Sequence, residues 1–110
     1  MLGVCYGAEI LALTFGGTLG RLPRGTKEVR TITTTKKNRL LKEKSFQARE
    51  AHHFRVATLP PHLERLARSN TSENEAIMHR AAELYGVQFH PELSGESGHR
   101  ILANFIRMCG

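Results

Sequence analysis

The chain has 110 residues, 40% of them apolar and 24% charged, with 16 Lys+Arg against 10 Asp+Glu for a formal net charge of +6. That size and balance fit one globular domain, and no run approaches the ~18 apolar residues of a membrane span. Two cysteines, Cys5 and Cys109, are too few for a disulfide framework; with no basic-then-apolar leader, they point to a reducing, cytoplasmic setting.

The basic excess is local. Residues 21–50 hold ten Lys/Arg against three Glu, while residues 51–110 hold six of each. The densest stretch, Lys36 to Lys44, has no aromatic residue for base stacking. It reads as a solvated loop or hairpin face, with a docking surface for an acidic partner protein or nucleotide as the alternative and nucleic acid not expected.

In chain order, Met1 to Val4 is the stub of an apolar strand, and Gly7 to Phe15 a short helix stopped by Gly16-Gly17. Leu19 to Gly25, broken by glycines and Pro23, is expected to be irregular. The β-branched alternation of Glu28 to Thr35 predicts a half-exposed strand, followed by a short one at Phe46 to Arg49. Leu59-Pro60-Pro61 marks a turn, with one helical turn expected over His62 to Leu66. Glu75 to Arg80 and Tyr85 to Phe89 read as strands, the second ended by Pro91. Gly98 to Met108 has the apolar spacing of an amphipathic helix, capped by Ser97 or Gly98 and ended by Gly110. Strand, helix, several strands, helix is an α/β order.

Two segments carry chemistry. Gly3-Val4-Cys5-Tyr6-Gly7 has the spacing of a nucleophile elbow, with cysteine in the serine position. Such a turn holds the sulfur at a strand's C-terminal end and aims a helix N-terminus at it, which favours thiolate. The first helical N–H, that of Tyr6, is then available to an oxyanion. The alternative is a small buried hydrophobe, as most free cysteines are. In Tyr85-Gly86-Val87-Gln88-Phe89-His90-Pro91-Glu92, His90 and Glu92 stand at i and i+2 and point the same way on extended backbone. A carboxylate on one imidazole nitrogen, leaving the other for a nucleophile, is what cysteine catalysis requires of its base. The alternative is a solvated pair at a strand end. Neither cysteine has a Cys-x2-Cys partner and the histidines are scattered, so no metal or other cofactor is expected. His79 is expected on a strand face, His62 and His99 in solvent, Met78 and Met108 in the core, and Cys109 as structural.

Together the two segments resemble the class I (triad) glutamine amidotransferases. The resemblance continues through Gly16-Gly17, through Glu50 to Val56 with Leu59-Pro60 (similar to the family's central histidine-containing loop), and through Gly98 to Phe105. It implies a portion of a flavodoxin-like α/β fold, with a mostly parallel sheet, flanking helices and a small antiparallel section. By motif, it implies Cys5 as nucleophile forming a γ-glutamyl thioester, His90 as base and then acid, and Glu92 as its orienting partner. Tyr6 N–H would be an oxyanion donor, with Glu9, His52 and His53 beside the substrate. Glu9 stands where the family usually has a substrate-contacting glutamine, and it adds negative charge near a thiolate.

The family has a substantial portion before its nucleophile, supplying sheet strands and a second oxyanion donor. Residues 1–110 are therefore expected to be a partial amidotransferase domain, running from the elbow to the closing helix. Implied partners are glutamine or another γ-glutamyl compound and an ammonia-accepting synthetase. The segment Asn104 to Gly110 is similar to the amidotransferase end of GMP synthases. A γ-glutamyl hydrolase and a non-catalytic, partner-binding remnant are the alternatives.

Overall fold

The computed structural model describes residues 1–109, apart from the side chains of residues 23–26. Strand β1 (Leu2–Val4) runs into helix α1 (Tyr6–Thr14). Two long strands follow, β2 (Thr18–Thr34) and β3 (Ser45–Thr58), then β4 (Leu63–Arg68), β5 (Ala76–His79) and β6 (Tyr85–Val87). A 3-10 turn (Pro91–Leu93) leads into helix α2 (Gly95–Cys109). The strands form one six-stranded sheet in the order β1-β6-β5-β4-β2-β3.

Side-chain alternation places a helix on each face. On β5, Ala76 belongs to one apolar cluster and Ile77 to the other. On β6, Tyr85 and Val87 face the cluster that receives Ile101 and Phe105 of α2. Gly86 faces α1 so closely that a Cβ there would lie 3.0 Å from Ala8 Cβ. The smaller cluster joins Leu11 and Ala12 of α1 to Val56, Leu63 and Ile77 of the sheet. A three-layer α/β/α arrangement results.

The α/β mixture agrees with expectation, but its proportions differ within this chain. Among the described residues only β1 and β6 run parallel; β6/β5, β5/β4, β4/β2 and β2/β3 are antiparallel. The connections between β2 and β6 are short returns, and a parallel neighbour needs a long crossover.

Other expectations need correction. The backbone of Leu19 to Gly25 is not irregular but lies within β2, where the ladder slips between Arg21 and Thr26; the side chains of Pro23, Arg24 and Gly25 fall outside the described residues. The strand expected at Phe46 to Arg49 extends to Thr58, so Glu50 to Val56 is strand rather than loop. His62 to Leu66 is not helical: Leu63 to Arg65 pair with β5 in β4, and that ladder overrides the helix-like spacing of Leu63 and Leu66. Helix α2 begins at Gly95, ahead of the expected cap, and Gly110 lies outside the described residues. Cys109 is exposed, so it is not a packed structural residue.

Candidate active site

The parallel pair builds the site. Val4 lies opposite Val87, and the Cys5 N–H donates to the Val87 carbonyl at 2.7 Å. Cys5 therefore leaves β1 at the end of the sheet where β6 runs on towards His90. It turns sharply into α1 with φ 53° and is the one non-glycine residue with positive φ among those described. A cysteine in that region costs ~1–3 kcal/mol, a strain that surrounding structure must enforce. Gly3 supplies the room: a Cβ there would sit 2.6 Å from the Gly7 carbonyl carbon. Gly7 itself has nothing within 4 Å of a built Cβ. The first glycine of the elbow is thus required sterically and the second is not.

The other edge strand closes on the elbow. The Arg49 carbonyl on β3 accepts the His90 N–H at 2.8 Å, and the Arg49 N–H donates to Ser94 Oγ at 2.9 Å. Two residues on, the Ala51 carbonyl accepts the Cys5 thiol at 3.6 Å. The Cys5 and His90 segments are therefore pinned to one strand edge at points ~7 Å apart, given about 3.3 Å per residue. His90 Nδ1 lies 3.0 Å from Glu92 Oε2. Its Nε2 has no protein partner among the described residues. The Glu92 side chain is half exposed, so the pair contributes orientation more than stability.

Glu9 is buried on α1, where its Oε2 accepts the Gln88 amide N–H at 2.8 Å. The same Gln88 nitrogen lies 3.9 Å from Cys5 Sγ. Burial pushes the Cys5 thiol above its ordinary value, and the charges of Glu9 and Glu50 add to this. The Tyr6 N–H and the Gln88 amide offset part of it. The resting sulfur is therefore a thiol, and something must remove its proton. Glu9→Gln is expected to speed alkylation of Cys5 by iodoacetamide at pH 8 by roughly three- to tenfold, up to one pKa unit. Peptide-resolved mass spectrometry separates this from Cys109; an unchanged Cys5 rate would refute the charge argument.

His52 and His53, adjacent on β3, part company. His53 is exposed, while His52 points inward with both ring nitrogens engaged, Nδ1 by the Phe54 carbonyl at 2.5 Å and Nε2 by Glu50 Oε2 at 2.7 Å. Its imidazole therefore belongs to the protein's own polar core. Gln88, Glu50 and Glu75 went unmarked in the sequence, although two of them left a signal. Gln88 stands two residues before His90, and Glu50-x-His52 repeats in reverse the i, i+2 pattern of His90-x-Glu92. Glu75 left only a carboxylate at the start of an apolar strand.

A family model described as glutamine amidotransferase class-I matches residues 1–109. The chain belongs to the class I glutamine amidotransferases. It is 41% identical over 113 residues to the glutamine-hydrolyzing GMP synthase subunit of Methanococcus aeolicus and 37% identical to that of Methanocaldococcus jannaschii. Each match covers all of this chain but 60% of the relative, so the chain spans about three-fifths of their length. Among solved structures, a putative GMP synthase subunit from Thermoplasma acidophilum superposes with a TM-score of 0.91 at 26% identity, over 98% of this chain and 56% of that one. A Thermotoga maritima glutamine amidotransferase shares the fold, with a TM-score of 0.73 at 21% identity over 97% of this chain and 46% of its own. As an amidotransferase segment, the chain brings the elbow and the His-Pro-Glu segment to one end of the sheet. No described helix is long and apolar enough to cross a membrane.

Proposed function

We propose that this chain carries the glutamine-hydrolysing centre of a GMP synthase-type amidotransferase working with a cytoplasmic synthetase partner. The observation that carries the reading is the docking of Cys5 and His90 onto Arg49 and Ala51 of one strand edge. In this scheme His90, oriented by Glu92, takes the thiol proton, and the sulfur attacks the side-chain amide carbon of glutamine. The carbonyl oxygen becomes an oxyanion facing the Tyr6 N–H at the start of α1. Collapse breaks the C–N bond, and His90 returns the proton to the leaving nitrogen as ammonia. Water activated by His90 then cleaves the γ-glutamyl thioester, giving glutamate and restoring the thiol. The synthetase partner is suggested by the relatives' designation as one subunit of GMP synthase.

A glutamine analogue bearing a diazo-ketone in place of the amide tests the assignment. Incubated with folded protein, it is expected to add covalently to Cys5, with no adduct in Cys5→Ala. An unmodified Cys5 in a sample that melts cooperatively would sink the proposal. The carboxylate of Glu9 beside the thiol favours one second reading, γ-glutamyl hydrolysis. Comparing ammonia release from glutamine with cleavage of γ-glutamyl amides separates the two.

A further inference from the structure

Beside the nucleophile lies a polar group that the proposed mechanism leaves unused. Glu50 and Glu75 are fully buried, and the side chain of His52 is nearly so. A carbonyl only accepts, so the contact between His52 Nδ1 and the Phe54 oxygen places a proton on Nδ1. The 2.7 Å contact between Nε2 and Glu50 Oε2 needs a further proton between them. Glu75 Oε2 is taken by the Ser69 hydroxyl. Glu50 Oε1 and Glu75 Oε1 are both buried with no hydrogen-bond donor among the described residues, and the two carboxyls stand close enough to act on each other. Two buried neighbouring carboxyls do not both stay ionised, so one keeps its proton beside the other.

We propose that Glu50, His52 and Glu75 form a proton-sharing row that positions the Ala51 carbonyl on the Cys5 thiol and so restrains the sulfur in its protonated form. The proposal rests on the reading of Cys5 as the nucleophile. Ala51 lies between Glu50 and His52 on β3, and its carbonyl is the acceptor of the thiol. A row anchored on both sides of that residue fixes the carbonyl. A carbonyl on the sulfur stabilises S–H and repels thiolate, and the Glu50 charge acts in the same direction. The groups facing the row are Arg30 from β2, Ser69 after β4, and Cys5 at the start of α1, whose sulfur Glu9 also faces. Burial and the neighbouring Glu50 push Glu75 up to about 9, against the pull of Ser69 and Arg30, so it carries the shared proton at neutral pH. Burial also raises Glu50, but its hydrogen bonds from His52 and Glu75 and the charges of His52 and Arg30 outweigh that and hold it low. Glu50, His52 and Glu75 are positioning residues, since they act on the sulfur through Ala51.

The test is the pH profile of Cys5 alkylation by iodoacetamide, resolved by peptide from Cys109. It reads ionisation of the sulfur without glutamine. If the diazo-ketone fails to add while these profiles shift, the substrate reading fails and the row stands. Glu50→Gln and His52→Gln each break the row, and both are expected to alkylate at least about threefold faster at pH 8, a midpoint lower by about half a unit. Glu75→Gln keeps a donor towards Glu50 without needing the shared proton, and is expected to follow the unaltered chain between pH 7 and 9. Profiles that superimpose for all three variants, in proteins that melt cooperatively, overturn the proposal. So does a Glu75→Gln profile displaced as far as the other two. Should the first two variants fail to fold, the unaltered chain decides: the Ala51 carbonyl 13C signal must titrate with Cys5. Independent titration rejects the coupling.

Discussion

Replacing His90 by asparagine is expected to slow release of ammonia from glutamine by about 10³–10⁴-fold, the usual scale for losing the base of a nucleophile-base pair. Asparagine preserves polarity and approximate size at a position whose backbone N–H is held by the Arg49 carbonyl. What disappears is the imidazole proposed to remove the thiol proton. The resting sulfur is held as a thiol by burial and nearby carboxylates, so thiolate does not arise without a base. The loss should fall on kcat more than on KM. Alkylation of Cys5 well above its own titration range should be nearly unchanged, because solvent then removes the proton. A His90→Asn protein retaining more than about a tenth of its ammonia release would show that another group is the base.

Gly98→Ala carries the largest expected effect on stability. A Cβ at Gly98 would lie 1.9 Å from the Pro91 carbonyl oxygen and 2.9 Å from Ser94 Cβ. Neither the 3-10 turn nor α2 can yield without disturbing the other, because the Gly98 N–H donates to the Ser94 carbonyl. Overpacking against backbone of this kind costs about 3 kcal/mol or more. For a chain of this size that lowers the melting temperature by on the order of 15 °C. The damage reaches the site as well, because the same turn carries Glu92 and follows His90. Gly7→Ala is the contrasting case. A Cβ there meets nothing within 4 Å, so ordinary helix propensity decides, and the melting temperature should hold or rise slightly. Calorimetry of the two variants beside the unaltered chain checks both expectations. Equal melting temperatures would refute the close approach of α2 to the turn.

The chemistry was more legible in the sequence than the scaffold around it, for a physical reason. Residue types two apart announce themselves locally, as His90 and Glu92 do, although a 3-10 turn at Pro91–Leu93 rather than the expected extended backbone brings their side chains together. The elbow is similarly local, since Gly3, Cys5 and Gly7 fit within one turn. Strand β4 was hidden because Leu63 and Leu66 have a spacing that suits a helix, and only the ladder to Ile77 and Met78 decides otherwise. The length of β3 was hidden for the same reason, its partner lying in β2 across the connecting loop. The polar row was hardest to foresee. Glu75 meets Glu50 only after β2, β4 and β5 have assembled, and no local pattern ties the two together. Glu9 was visible as a departure from the family, but its partner Gln88 depends on the pairing of β1 with β6.

That pairing also has a consequence for how the chain folds. Among the described residues β1 is an edge strand whose neighbour is β6, and the bond partners Cys5 and Gln88 are 83 residues apart. Closing so long a loop carries a high entropic cost, repaid only after intervening structure has drawn the ends together. The β2/β3 hairpin and its neighbours β4 and β5 need no such closure and can form while β1 is still unattached. Within the described residues, the elbow therefore gains the Val87 contact that supports its strained turn at Cys5 only after that hairpin can form. During synthesis, Cys5 emerges long before Gln88, which borders it in the folded chain, and before His90, which docks on the same strand edge.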